Sequence, residues 1–143
     1  MGKIFYIMGK SATGKDTIYE ELLEHRGLGL RSLIMYTTRP IRANETDGVQ
    51  YHFTDVEGLR QMQSEGRVIE LRSYNTVHGI WYYFTADGDG IDLEKQNYLA
   101  LGTLESYQKV RAYYGGERVL PIYIEVTDAE RLGRSIKREE KQA

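Results

Sequence analysis

Cysteine is absent from this chain of 143 residues, which excludes disulfides, thiolate metal sites and cysteine nucleophiles. The sequence also lacks an apolar run long enough to cross a bilayer, and its N-terminus lacks the basic-then-apolar order of a signal peptide. The net charge is −2 with both signs interspersed, so there is no basic field for nucleic acid. We therefore expect a cytoplasmic protein that binds neither membranes nor nucleic acid, with its oligomeric state left open.

Histidine is scarce. His25, His52 and His78 have neither the mutual spacing of a metal site nor a place in a Ser-His-Asp order, so we expect them at the surface or in packing.

Tyrosine occurs 12 times, mostly within apolar runs, which is typical of half-buried strand residues. The length suits one domain with a single core.

A glycine-rich segment at residues 9–17 lies between an apolar run at 4–8 and a helical pattern. The G-x-x-x-x-G-K spacing lets backbone N–H groups converge on phosphate oxygens while the lysine reaches the terminal phosphates of a nucleotide. The helix N-terminus behind it adds partial positive charge. The alternative is a glycine turn that only joins strand to helix. The residues predicted to bind the nucleotide phosphates are Gly9, Ser11, Ala12, Thr13, Gly14, Lys15, Asp16 and Thr17.

One position departs from the usual form of this loop. Asp16 stands where a serine or threonine normally binds Mg²⁺, and Thr17 follows it. A carboxylate can bind Mg²⁺ directly or through water, and it is also favourable at a helix N-terminus. Alternatively, it repels the β-phosphate and shifts the metal dependence. Both residues are candidate metal ligands.

Strand and helix patterns alternate along the chain, which predicts a parallel α/β sheet. The predicted strands of this sheet are about 3–8, 33–36, 98–101 and 119–126, and the predicted helices are 15–26, 103–114 and 128–138. The section 37–85 breaks the alternation and is interpreted as an insertion over the carboxyl edge of the sheet. Its predicted elements are a strand at 51–53, a helix capped by Asp55, and a hairpin of 68–71 with 80–84.

A string of motifs resembles the guanylate kinase family. It comprises the loop at 9–17, Thr37-Thr-Arg-Pro-Ile-Arg42, Glu45, Asp47-Gly48, Tyr51, Phe53, Gly66-Arg-Val-Ile-Glu70 and Tyr82-Tyr83. The resemblance implies a P-loop NTPase-type three-layer parallel sheet with an inserted, mixed β/α acceptor-binding subdomain. It further implies an enzyme that uses ATP and Mg²⁺ to phosphorylate GMP. One domain, 1–143, then comprises a core (1–36 and 86–143), the insertion (37–85) and a lid (about 128–143).

Two arginines in the inserted section are candidates for phosphate binding. Arg39 and Arg42 are three residues apart in a predicted loop, and two guanidinium forks that converge there bind a phosphate bidentately. The alternative is a solvated loop pair. The resemblance implies that the ligand is the acceptor's phosphate, that Tyr51 donates its phenol to it, and that Glu45 orients the arginines or the sugar.

Glu70 lies in an otherwise apolar run, where an unpaired buried carboxylate is costly. Guanine presents two adjacent donors, N1–H and the exocyclic amine, which a carboxylate accepts as a pair, whereas adenine does not. The resemblance implies that Glu70 recognises guanine; the alternative is an outward-facing strand residue. The resemblance also implies that Tyr83 is a second phosphate-binding tyrosine and that Thr85 is the hydroxyl residue beside it.

Phosphoryl transfer needs positive charge around the migrating group, and Lys15 is the first candidate to supply it. The resemblance makes Arg134 and Arg138 lid arginines that close over the donor phosphates. Together with Arg131 they share roughly one helix face, and the alternative is a basic face balanced by neighbouring glutamates. Arg42 is expected to bridge the two substrates' phosphates when the insertion closes.

Three features depart from the family. The strand at 99–102 reads Leu-Ala-Leu-Gly, where the family carries two acidic residues. A small residue expected before T-T-R is replaced by Met35 or Tyr36, which removes a contact to the base edge. The sequence ends at Ala143, where the family continues, so we expect a trimmed tail or an incomplete lid.

Three hypotheses follow. The first is a nucleoside monophosphate kinase that transfers the γ-phosphate of ATP to GMP. The second is a phosphotransferase of the same architecture with another acceptor, and the third is a non-catalytic module that binds a phosphorylated ligand. An intact phosphate loop argues against the third hypothesis, because a binding module has no need of a donor site.

Overall fold

The computed structural model describes residues 2–10, 14–88 and 90–125. The chain divides into two compact units. The first comprises 1–32 and 93–143, and the second comprises 33–92. The predicted helix at 128–138 lies outside the described residues. Within the described ranges, no helix is long and apolar enough to cross a membrane.

The first unit contains the predicted parallel sheet. Its strand order is β2-β7-β1-β8, and every neighbouring pair runs parallel. The inner strands are apolar and buried on both faces, as expected where helices cover a sheet. The elements of this unit are β1 (Ile4–Gly9), α1 (Lys15–Glu24), β2 (Leu30–Ser32), β7 (Asn97–Leu101), α3 (Leu104–Tyr114) and β8 (Val119–Ile124).

The strand order determines where a ligand site can form in this sheet. The β1–α1–β2 crossover runs towards one edge of the sheet, and the β7–α3–β8 crossover runs towards the other. Right-handed crossovers in opposite directions put the two helices on opposite faces. The helix α1 packs on β1, β2 and β7, and α3 packs on β8. Ligands bind such sheets at the carboxyl ends of strands where the direction reverses, here β1 and β7.

One predicted strand is wrong. Residues 33–35 are not a strand, because the second strand of the parallel sheet is Leu30–Ser32 and its pairing ends where Ser32 faces Leu99. Tyr36 belongs instead to a two-residue strand of the second unit. The apolar run indicated burial, and Leu33 is buried, but a buried connection satisfies that signal as well as a strand does.

The second unit contains a mixed sheet of order β4-β3-β6-β5. The predicted hairpin is confirmed and is longer than expected, since β5 and β6 pair up to the turn before Gly79. Leu59, Phe84 and Ala86 form the core under one face of this sheet. The elements are β3 (Tyr36–Thr37), β4 (His52–Phe53), α2 (Val56–Ser64), β5 (Val68–Thr76) and β6 (Gly79–Ala86).

The helix α2 begins where the sequence predicted. The carboxylate of Asp55 accepts a hydrogen bond of 2.8 Å from the backbone N–H of Gly58, which satisfies one of the free donors of the first turn. Leu59, one residue later, is fully buried. The cap therefore determines which face of α2 contacts the sheet.

Candidate active site

The described part of the glycine-rich loop has the geometry of an anion site. Gly9 is the last residue of β1, and Gly14 precedes α1 with φ 84°, a conformation that favours glycine. Gly14 is the N-cap of α1 and provides no side-chain cap, so the first N–H groups of the helix are available to a ligand. Ser11, Ala12 and Thr13 lie outside the described residues.

Lys15 stands at the start of α1, beside this opening. Its Nζ donates a hydrogen bond of 2.8 Å to the carbonyl oxygen of Gly9, so the ammonium group is held over the end of β1. A cavity of about 370 Å³ adjoins it at the carboxyl ends of the parallel strands. The residues that line the cavity are Met8, Gly9, Lys10, Lys15, Leu101, Gly102, Thr103, Leu104 and Tyr123.

On the β7 side of this cavity, the described lining residues include no carboxylate. This side is formed where β7 ends in Leu101 and Gly102 and Thr103 caps α3, with a hydrogen bond of 3.1 Å from the N–H of Ser106. Thr103 and Tyr123 were not among the predicted site residues. The signal that could have identified Thr103 is its position directly after a strand of the parallel sheet.

The candidate metal ligands Asp16 and Thr17 lie in the first turn of α1 and are exposed. Among the described residues, no group of three or more histidine, aspartate or glutamate side chains could hold a metal ion. Mg²⁺ is commonly held by one or two protein groups together with substrate phosphates. The residues present fit that mode and do not form an all-protein cage.

In the second unit, Arg39 and Glu45 form a bidentate ion pair. Both terminal nitrogens of Arg39 donate to the carboxylate of Glu45 at 2.9 Å, and the arginine side chain is only 4% exposed. These hydrogen bonds lower the pKa of Glu45 from 4.5 to about 2 and raise the pKa of Arg39. The predicted orienting role of Glu45 is consistent with this pair.

Arg42 is held differently. Its side chain is exposed, and its backbone N–H donates to the Glu45 carboxylate at 2.9 Å. The pair of Arg39 and Glu45 therefore also fixes the backbone of the loop that carries Arg42. The described contacts do not bring the two guanidinium groups together.

Aromatic rings surround the buried arginine. The guanidinium carbon of Arg39 lies 5.5 Å from the ring centre of Tyr51 and 5.6 Å from that of Phe53, which is within cation–π range. The rings of Tyr51 and Tyr83 meet edge to face at 5.6 Å. The two tyrosines predicted to bind phosphate are thus adjacent to each other and to the predicted arginine.

A β-bulge sets the position of Glu70. Val68 pairs with Ala86, but Glu70 pairs with Thr85, so Ile69 is an extra residue in β5. A bulge shifts which side chains point to each face of a sheet. Glu70 and Thr85 therefore share one face, while Ala86 belongs to the core on the other.

Glu70 is buried, so the outward-facing alternative is wrong. Its side chain is 3% exposed, and Oε1 accepts a hydrogen bond of 2.9 Å from the hydroxyl of Thr85. Oε2 lies 3.3 Å from Nε of Arg72. Sequence reasoning missed Arg72, although its place two residues along the same strand puts it on the face of Glu70.

The remaining predicted residues do not contribute to the described site. Arg131, Arg134 and Arg138 lie outside the described residues. The ring of His52 packs against Tyr36 with centroids 4.7 Å apart, as expected for a packing histidine.

Comparisons with known proteins agree with this fold. The family model described as guanylate kinase matches residues 1–143. A guanylate kinase of Neisseria meningitidis serogroup A is 38% identical over 87 residues, which cover 61% of this chain and 40% of that protein. A guanylate kinase of Porphyromonas gingivalis is 32% identical over 126 residues, which cover 87% and 65%, respectively. The chain thus spans between 40% and 65% of the length of these two relatives.

A solved structure is also similar. The crystal structure of guanylate kinase from Anaplasma phagocytophilum aligns with a TM-score of 0.63 and 24% sequence identity, and the alignment covers 95% of this chain and 66% of that one. At that identity the likeness establishes the fold. The predicted α/β class, with a parallel sheet and a mixed insertion, is confirmed.

Proposed function

Because this chain belongs to the guanylate kinase family, we propose that it is a nucleoside monophosphate kinase that transfers the γ-phosphate of ATP to GMP. The observation that carries the proposal is the buried carboxylate of Glu70, which is 3% exposed on the polar face of a sheet. Burying a charge is costly unless it is paired. Glu70 is partly paired within the protein, by the Thr85 hydroxyl and by Arg72, and the acceptor positions that remain on its carboxylate suit a ligand with two adjacent donors, as guanine has.

The donor nucleotide is assigned to the first unit. Backbone N–H groups at the start of α1 and the ammonium of Lys15 offer donors to the phosphates. Residues 9 to 17 are its proposed binding segment. Asp16 and Thr17 would hold Mg²⁺ together with the phosphates, and the ion would neutralise part of the phosphate charge.

The acceptor is assigned to the second unit. Arg39 is already charged and oriented by Glu45, so it can bind a phosphate without first losing side-chain freedom. Tyr51 and Tyr83 lie beside Arg39 and offer phenol donors to the same phosphate. Arg42 adds an exposed charge to the same loop.

The reaction needs no covalent step on the protein. A phosphate oxygen of GMP attacks the γ-phosphorus of ATP, the bond to the ADP oxygen breaks, and the products are GDP and ADP. Lys15 and Arg42 are proposed to offset the charge that gathers on the transferred group. Arg134 and Arg138, the lid arginines implied by the resemblance, are proposed to add further positive charge around the donor phosphates. We place this reaction in the cytoplasm, where both nucleotides are available.

The test is a panel of acceptors. ADP release from ATP is measured by a coupled assay on the whole protein with GMP, AMP, UMP and CMP in turn. GMP is expected to be turned over at least about 100-fold more efficiently than the others, since a site built for hydrogen bonds rejects analogues that lack them. Preference for another acceptor, or turnover of none, contradicts the proposal.

A second candidate is a kinase of this fold with a different acceptor. It is favoured by the end of β7, where Leu101 and Gly102 line the cavity without a carboxylate. Turnover of AMP or UMP in preference to GMP in the same panel selects it.

A further inference from the structure

Arg72 lies on the polar face of the second sheet, and the proposed reaction gives it no role. Arg72 faces Tyr83 across β5 and β6 and shares the face of Glu70. Its side chain is 37% exposed, whereas that of Glu70 is 3% exposed. The charged tip of Arg72 can therefore reach a ligand that lies against Glu70.

The donors of Arg72 are poorly used by the protein itself. Its Nε is buried and, within the described part of the chain, has no partner in hydrogen-bond geometry, although it lies 3.3 Å from Glu70 Oε2. Its Nη2 lies 3.6 Å from the sulfur of Met35, and a thioether is a weak acceptor. A carbonyl oxygen of a ligand is a better partner than that sulfur.

The acceptors of Glu70 and the donors of Arg72 are complementary in kind to the groups on the edge of guanine. That edge presents the exocyclic amine, N1–H and the carbonyl O6 in order. Glu70 can accept from the two donors, because a carboxylate has about four acceptor positions and Thr85 uses one of them. The third group, O6, needs a donor beside the carboxylate, which is where Arg72 stands.

The residues before T-T-R favour a donor from elsewhere. The sequence carries Met35 or Tyr36 where a small residue was expected to contact the base edge, and the thioether of Met35, which lies beside Nη2 of Arg72, cannot donate a hydrogen bond. We propose that Arg72 is a specificity-determining residue that donates to O6 of the acceptor base, so that Glu70 and Arg72 together recognise all three groups of guanine. This inference rests on the proposed function and names the chemistry of its acceptor site.

The test compares three acceptors that differ at single groups. GMP has all three groups, 6-thioguanosine 5′-monophosphate replaces O6 with the weaker acceptor sulfur, and IMP lacks the exocyclic amine. The values of kcat/KM are measured for the wild type, Arg72→Met, Arg72→Lys and Arg60→Met. Arg60 is an exposed arginine of α2, so its replacement controls for the loss of one charge from the unit.

We expect Arg72→Met to change only one selectivity, the ratio of kcat/KM for GMP to kcat/KM for the thio analogue. Arg72→Met lowers kcat/KM for GMP by about 10- to 100-fold, the size of a lost charge-assisted hydrogen bond. It removes most of the preference for GMP over the thio analogue and leaves the preference for GMP over IMP unchanged. Arg60→Met alters neither ratio.

Other outcomes overturn the inference. If Arg72→Met lowers kcat/KM equally for all three acceptors, or for none of them, Arg72 does not contact O6, while the proposed function stands. If the wild type turns over none of the three, the proposed function fails and the inference fails with it. If Arg72→Met does not fold by circular dichroism, Arg72→Lys decides. Its shorter side chain and single ammonium must reduce the preference for GMP over the thio analogue, and an unchanged preference contradicts the inference.

Discussion

The two units offer different kinds of chemical group to their proposed substrates. In the first, Gly9, Gly14 and the N-terminus of α1 offer backbone groups beside a cavity, and Lys15 is the one ammonium held there by a described hydrogen bond. In the second, the proposed site includes buried charged side chains that are already paired with each other, as Arg39 is with Glu45.

This difference follows from what each site has to recognise. A phosphate chain is recognised by charge and N–H donors, which a local turn can supply. A base and a sugar phosphate require side chains at fixed positions, and buried charges stay in place only when they are paired. Changes in the first unit should therefore act mainly on turnover, and changes in the second on affinity and selectivity.

The largest expected effect is in the first unit. Lys15→Ala removes the ammonium group that is proposed to contact the donor phosphates, and we expect turnover to fall by about 1,000-fold or more. GMP binding, measured by calorimetry, should stay within about twofold of the wild type because the acceptor is proposed to bind the other unit. Lys109→Ala, on an exposed position of α3, is the control. Persistent turnover would mean that the loop has been misinterpreted.

The next largest effect concerns recognition of the acceptor base by Glu70 in the second unit. Glu70→Gln replaces one acceptor oxygen with an amide that opposes a guanine donor, so kcat/KM for GMP should fall by about 100-fold while that for AMP stays unchanged. Glu57→Gln makes the same replacement on an exposed position of α2 and should change neither value. Equal losses for GMP and AMP would show that Glu70 acts on the fold and not on the base.

A smaller effect is expected for the phosphate of the acceptor. Arg39→Lys keeps the charge but loses the fork that meets Glu45 bidentately, and KM for GMP should rise by about 10-fold or more. The expected change in kcat is smaller than the change in KM. An unchanged KM would remove Arg39 from the acceptor site.

One replacement tests packing beneath the donor cavity. A Cβ at Gly102 would lie 2.5 Å from the phenol oxygen of Tyr6 and 2.7 Å from the hydroxyl of Ser106. Gly102→Ala should therefore lower the free energy of unfolding by about 1–3 kcal/mol, as overpacking does, and reduce the melting temperature. Gly90→Ala, where a Cβ meets no atom of the described residues within 4 Å, should change the free energy of unfolding by no more than about 0.5 kcal/mol. Equal stability of both variants would contradict this account of Gly102.

The smallest effect is a dependence on pH in the second unit. The pKa of Glu45 falls from 4.5 to about 2 in the folded protein, so the folded state favours the ionised carboxylate. The resulting stabilisation is complete above pH 4.5 and is lost as pH falls from there through about 2. The difference in unfolding free energy between the wild type and Glu45→Gln should shrink across that window. A constant difference would show that the carboxylate is not stabilised by Arg39.

Sequence predicted the first unit more fully than the second. The loop at 9–17 and the helix after it depend on local spacing, which a sequence displays directly. The placement of Glu70 depends on a bulge at Ile69 and on pairing with Thr85, 15 residues away. Period-two alternation cannot reveal an extra residue in a strand, so the burial of Glu70 and its proximity to Arg72 required the structure.

The central claim is that this chain transfers the γ-phosphate of ATP to GMP. Its most direct test uses ATP labelled with ³²P at the γ-position, together with GMP and Mg²⁺, and separates the products by chromatography. We predict that the label appears in GDP, with one unlabelled ADP formed for each labelled GDP. Label that appears as inorganic phosphate, or stays in ATP while GMP binds, would contradict the claim.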